Sequence, residues 1–153
     1  FIERVFAYRR LKDLFASRWT TGDLVRFHSR EELLLMAHDP AACRSLGRLV
    51  AAAEGRPRAM VAGGYGEKFT RGLAKLATPG KHAKVLRHVA GCFEDLLSPA
   101  ERSELHRAID RFRRGLLPLV VPLTLLRHHL RRHRVPALQG QSYLQPHPRG
   151  LTP

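Results

Sequence analysis

At 153 residues, with 44% apolar and 26% charged side chains, the chain can close a hydrophobic core and is too apolar for a disordered tail. Its 27 Lys and Arg outnumber 13 Asp and Glu for a formal charge of +14, which suits polyanions such as nucleic acid or anionic lipid and disfavours small cationic substrates. Two cysteines, Cys43 and Cys92, exclude a disulfide framework, a four-thiolate zinc site and an iron–sulfur cradle, and the longest uncharged run, residues 115–126, falls short of the ~20 a membrane helix needs.

Apolar residues recur at helical spacing and alternating strand patterns are absent, so the expected class is all-α. A first helix is expected over residues 1–16 through Ile2, Val5, Phe6, Leu11, Leu14 and Phe15. Thr20 or Thr21 caps a second, which runs through Leu24, Phe27, Leu34 and Leu35 toward His38. Asp39-Pro40, a cap followed by proline, opens a third helix to about Ala53, and residues 54–57 read as a linker. A fourth helix is expected from Met60 or Tyr65 to Ala77, weakened at its start by Gly63, Gly64 and Gly66. Thr78-Pro79 opens a fifth to Leu97. Ser98-Pro99-Ala100-Glu101 is a capping box that starts a sixth, and Gly115 ends it. The last long helix is expected from Pro118 to Arg134, with an irregular tail over 136–153 that holds Gly140, Pro146, Pro148 and Gly150. The expectation is therefore one compact bundle of six to seven helices over 1–153. The start at Phe1, with no secretory signal, reads as a cut from a longer protein of a reducing, cytoplasmic compartment, with residues 1–18 as a linker helix.

Charge is uneven. After Asp110 there is no acidic residue, while Arg111, Arg113, Arg114, Arg127, Arg131, Arg132, Arg134 and Arg149 follow. In the last helix Leu119, Leu123, Leu126 and Leu130 make a core stripe, and Arg127, Arg131 and Arg134 keep a similar spacing on another face, flanked by His128 and Arg132. Guanidinium offers planar, paired donors that match phosphate oxygens, so the seven arginines between 111 and 134, with no carboxylate among them, read as a phosphate-binding strip. Its plain alternative is a solvated helix face. Anionic membrane is the poorer polyanion, because the apolar stripe is committed to a core and no bulky aromatic flanks the basic face.

Nine histidines raise the question of a metal. His28 and Glu31 share a helix face, but His38 lies ten residues past His28, ~15 Å away at helical rise. His129 and His133 have pair spacing but stand among arginines with no carboxylate, so no metal site is expected. Gly63-Gly64-Tyr65-Gly66 lacks the lysine and hydroxyl of a phosphate loop. Cys43 and Cys92 are expected in the interior. Lys84, His88 and Gly91 fall on one flank of the fifth helix, where the glycine admits either a crossing helix or a ligand. No catalytic constellation emerges.

Phe27-His28-Ser29-Arg30, Leu35-Met36-Ala37-His38, Leu46-Gly47-Arg48-Leu49-Val50-Ala51, Val85-Leu86-Arg87-His88-Val89-Ala90-Gly91 and Arg113-Arg114-Gly115 occur in one order. Tyr65, Phe69 and His82 fall between them. Pro118-Leu119, Pro122-Leu123, Leu126-Arg127-His128-His129 and Gln141-Ser142-Tyr143-Leu144 close the set. Over nearly its whole length the chain thus resembles the bacterial YbgA-like domain of unknown function. The resemblance implies a C-terminal accessory domain behind a thiouracil-desulfidase-like domain, with residues 1–6 as the joint. The iron–sulfur cluster would belong to that N-terminal domain, with no cofactor in this chain. The implied activity of the fused protein is removal of sulfur from thiolated uridine, 4-thiouridine in tRNA. Glu32 stands where the family commonly has lysine, Lys84 where it has asparagine, and Cys43 and Cys92 where tyrosines are common. Lys84 therefore stays a candidate on its charge alone.

The expected RNA contacts are Arg26, His28, Arg30, His82, Lys84, His88, Arg127, His128, Arg131, Arg132, Arg134, Gln141 and Tyr143. Arg127, Arg131, Arg132 and Arg134 would grip phosphates, Tyr143 would stack on a base, and Gln141 would read an edge or a 2′-hydroxyl. The expectation is a non-catalytic RNA-binding, tRNA-binding module that presents an unstacked thiouridine to its partner domain. Two rivals stand beside it. One is an interaction module or homodimer built on the apolar run 116–126, and the other is an enzyme using His28, Glu31 or His88.

Overall fold

Helix starts are set by side chains that satisfy the first free backbone N–H groups. In the computed structural model, which describes residues 2–145, seven α-helices and two 3₁₀ turns form, with no strand among the described residues. The helices are α1 (Ile2–Ala16), α2 (Thr21–His38), α3 (Pro40–Ala51), α4 (Arg58–Ala74), α5 (Pro79–Gly91), α6 (Pro99–Arg113) and α7 (Val120–Arg132). The all-α class is as expected. Pro146, Pro148, Arg149, Gly150 and the opening Phe1 lie outside the described residues.

The capping residues act as their sequence spacing indicates. Thr20 Oγ1 accepts from the Asp23 amide at 3.2 Å, and the Asp23 carboxylate accepts from the Thr20 amide at 2.8 Å. Asp39 Oδ1 accepts from the Ala41 and Ala42 amides at 3.1 and 3.2 Å, so one residue ends α2 and starts α3. Ser98 and Glu101 form the second reciprocal box, at 3.2 and 2.8 Å. The expected boundaries shift elsewhere. Helix α4 begins at Arg58 and runs straight through Gly63, Gly64 and Gly66, because it seats Tyr65 and Phe69 in the core and that burial outweighs glycine's poor propensity. Helix α5 stops at Gly91, and α7 is shorter than expected at both ends.

The described chain divides into two compact units. The first takes in α1–α4 and residues 141–145. The second is Ala77–Gly140, with α5, α6 and α7 packed on one another. In the first unit Tyr65 and Phe69 stack with ring centroids 5.8 Å apart, and Phe27 meets both at 6.0 and 5.4 Å. At Gly72 of α4 a Cβ would lie 3.1 Å from the Ala42 methyl of α3. Glu31 is fully buried and held by two Arg10 hydrogen bonds at 2.6 and 3.0 Å and by the Ser142 hydroxyl at 2.6 Å. Over the described residues the tail is irregular as expected, and within it Gln141–Leu144 are buried and anchor it.

In the second unit Leu86, Val89, Phe93, Leu105, Ile109 and Leu126 form the core. The buried stripe of α7 is Pro122, Leu126 and His129, with Leu119, Leu123 and Leu130 only half-buried, so a histidine takes a place expected for leucine. Cys43 is buried as expected, but Cys92 is exposed where the interior was expected, because α5 turns that flank to solvent.

Candidate nucleic-acid interface

Residues 77–140 hold twelve Lys and Arg against five Asp and Glu, a charge of +7 on one small unit. At roughly 100° per residue Arg127 and Arg131 fall on one flank of α7, Arg132 lies about 140° round from Arg127, and Arg134 follows the helix beyond the extended His133. The expected four-arginine grip therefore splits. Arg132 Nη1 donates to Glu101 Oε1 at 2.7 Å. The Ser98 amide and hydroxyl together with the Arg132 guanidinium, the Ser98 amide foremost, hold the Glu101 carboxyl down to about 2. Arg132 thus faces a carboxylate charged at any physiological pH. On the other flank Arg131 is exposed with Arg127 half-buried beside it, Arg134 past the helix end is exposed too, and neither Arg131 nor Arg134 joins an ion pair among the described residues.

The outward face of α5 adds Lys84 and His88, both exposed. Gly91 on that face meets nothing within 4 Å of an added Cβ, so neither a crossing helix nor any other close approach explains it. His128 is exposed and packs edge-on to His129, with ring centroids 5.3 Å apart. His82 is half-buried, its ring edge-on to Phe112 at 6.2 Å, which makes it a packing residue rather than a phosphate contact. The expected set omits Arg107, Arg111, Arg113 and Arg114, which are exposed and unpaired among the described residues. Their signal was present: Arg107, Arg111 and Arg114 repeat the spacing of the α7 strip along α6.

Several expected contacts of the first unit are corrected. Gln141 is 5% exposed, its Nε2 donates to the Ser29 carbonyl at 2.7 Å and its Oε1 accepts from the Leu33 amide at 3.4 Å. Both ends of the amide are engaged, so it has no free edge for a base. Tyr143 is 6% exposed, and burial raises its hydroxyl's pKa well above the ordinary range, so its ring is not a stacking platform. His28 lies half-buried with Nδ1 3.0 Å from the Tyr65 hydroxyl, and burial pushes its pKa below the usual imidazole value, which disfavours a cationic phosphate contact. Arg26 pairs with Asp23 of its own helix, while exposed Arg30 lies 3.9 Å from Glu31. Glu31 serves Arg10 and Ser142 and so shares no ion with His28.

Cys43 has its thiol pushed up to about 11, chiefly by burial, and sits in the first unit, whereas Cys92 sits in the second. Among the described residues no three His, Cys, Asp or Glu side chains gather as a metal site. No described helix is long and apolar enough to cross a membrane.

Residues 32–148 match the family described as "Protein of unknown function (DUF1722)". The chain is 33% identical over 147 residues to the "Uncharacterized protein YbgA" of Escherichia coli (strain K12), covering 95% of this chain and 87% of that protein. No solved structure matches the chain.

Proposed function

We propose that this chain, which belongs to the DUF1722 family of proteins of unknown function, is an RNA-binding module whose second unit grips the phosphate backbone. The observation that carries the reading is the end of α7, where exposed Arg131 and, just past the helix, exposed Arg134 have no carboxylate partner among the described residues, on a unit of charge +7. Guanidinium groups so placed bind phosphate oxygens bidentately and release condensed counterions. The resemblance to YbgA-like domains fused behind desulfidases supports folded tRNA as the RNA and 4-thiouridine as the nucleotide served. The iron–sulfur cluster, and the chemistry of sulfur removal, belong on that view to the N-terminal partner, and this chain positions the substrate in the cytoplasm.

A filter-binding titration of the whole chain against tRNA at rising salt tests the reading. With about three phosphates engaged by Arg127, Arg131 and Arg134, log K should fall with log salt at a slope near −3. The double variant Arg131→Glu, Arg134→Glu should flatten that slope by about 2 and weaken binding at every salt. An affinity indifferent to salt, or to both substitutions, would sink it.

One observation favours a second reading. Leu116 and Val120, at the entry to α7, are each 57% exposed, and this is the part of the apolar run that helix packing leaves uncovered. A homodimer through that patch would show as twice the chain mass in light scattering, reverting to the monomer in Leu116→Lys.

A further inference from the structure

We infer that the basic surface of the second unit takes double-helical RNA, read by backbone and without regard to sequence, rather than single strands. The inference rests on the RNA-binding reading above and narrows its substrate. Single-strand binders combine a cationic track with exposed aromatic rings on which successive bases stack, and they lose most of their grip without those rings. Here the aromatic rings are occupied elsewhere. Within residues 77–140 the Phe, Tyr and Trp set is Phe93 and Phe112, both buried, the first against His129 and the second against His82. In the first unit Trp19, Phe27, Tyr65, Phe69 and Tyr143 are buried too, and among the described residues no Phe, Tyr or Trp is exposed. The exposed rings of the second unit are the small imidazoles of His88, His106 and His128.

Amide side chains, which pair with adenine edges, are few. This sequence has no asparagine, and of its three glutamines Gln141 has both amide ends bound to the backbone of α2, while Gln139 and Gln145 are exposed and Gln139 alone falls within residues 77–140. What the second unit does present is guanidinium in number: Arg127 and Arg131 on α7 with Arg134 past its end, and Arg107 and Arg111 on α6 with Arg114 at its cap. Such a surface responds to phosphate density, and a duplex holds more phosphates per unit length than a strand. The gain follows from counterion release, about 0.9 ions per phosphate contact on a duplex against about 0.7 on a single strand. For three to five contacts at 0.1 M salt that difference alone favours the duplex by about four- to tenfold.

The test is fluorescence anisotropy of the whole chain at 0.1 M salt with three labelled probes of equal phosphate number: two RNA duplexes of unrelated sequence and an unstructured uridine homopolymer. The duplexes should bind within about threefold of each other and at least about fourfold tighter than the homopolymer. A homopolymer that binds as tightly as the duplexes, or duplexes that differ more than tenfold, overturns duplex preference while leaving RNA binding itself intact. Failure to bind any of the three removes both. Arg131→Glu with Arg134→Glu should weaken all three probes, which separates loss of the strip from loss of duplex preference.

Discussion

His129 is the residue whose replacement most directly probes how α7 is held. It is 3% exposed, and neither ring nitrogen has a hydrogen-bond partner among the described residues. Its ring lies 6.2 Å from that of Phe93 and 5.3 Å from that of His128. A neutral imidazole carries one donor and one acceptor, and leaving such groups buried and unpaired costs about 1–3 kcal/mol each. His129→Leu removes both, against a shape change that costs up to about 1.5 kcal/mol. The net expectation is a gain of at least about 0.5 kcal/mol at pH 7.5. The gain should also depend on pH. Burial lowers the folded-state pKa of His129 below the ordinary imidazole value; Glu101 on α6 pulls the other way, while His128, Arg132 and His133 reinforce the drop. With the folded pKa below the unfolded one, the unfolded chain holds the extra proton between them. Stability is then fully present above about pH 6.5 and lost as pH falls toward the folded pKa, at up to about 1.4 kcal/mol per pH unit. The variant lacks that loss, so its advantage over the parent should widen between pH 7.5 and 5.5. His28 of the first unit has a pKa lowered in the same direction and leaves a residual slope in both proteins. Urea unfolding followed by far-ultraviolet circular dichroism at pH 7.5, 6.5 and 5.5 reads the midpoints. A variant no more stable than the parent at pH 7.5, with a gap that stays constant toward pH 5.5, would refute the reasoning.

Three further substitutions test the packing. Glu31→Gln keeps the shape but leaves Arg10 facing a neutral amide in a buried network, and thermal unfolding should show a loss of about 3 kcal/mol; an unchanged midpoint would mean that the pair does not hold α1 to α2. Gly72→Ala and Gly91→Ala should differ in sign under chemical denaturation. The first drives a methyl to 3.1 Å from Ala42 and should cost about 1–3 kcal/mol, and the second meets open space at the end of α5 and should gain up to about 1 kcal/mol. Equal signs would contradict the helix spacing between α3 and α4.

Sequence alone determined those features whose partners lie within a turn of helix. Thr20 with Asp23, Asp39 with Ala41 and Ala42, and Ser98 with Glu101 were legible because each bond spans two or three residues. The all-helical class and the excess of arginine after Asp110 were legible for the same reason, being local pattern and composition. Tertiary structure decided the rest. Arg131 and Arg132 are neighbours of one chemistry, yet one is unpaired among the described residues and the other bonds Glu101, thirty-one residues earlier in the chain. Gln141 and Tyr143 look like free recognition groups until α2 supplies two backbone partners to the first and the core covers the second. Burial puts His129 where the leucine stripe was expected, and carries α4 through three glycines. A side chain's neighbours along a helix are fixed by 3.6 residues per turn, whereas its neighbours in space depend on which distant element packs against it.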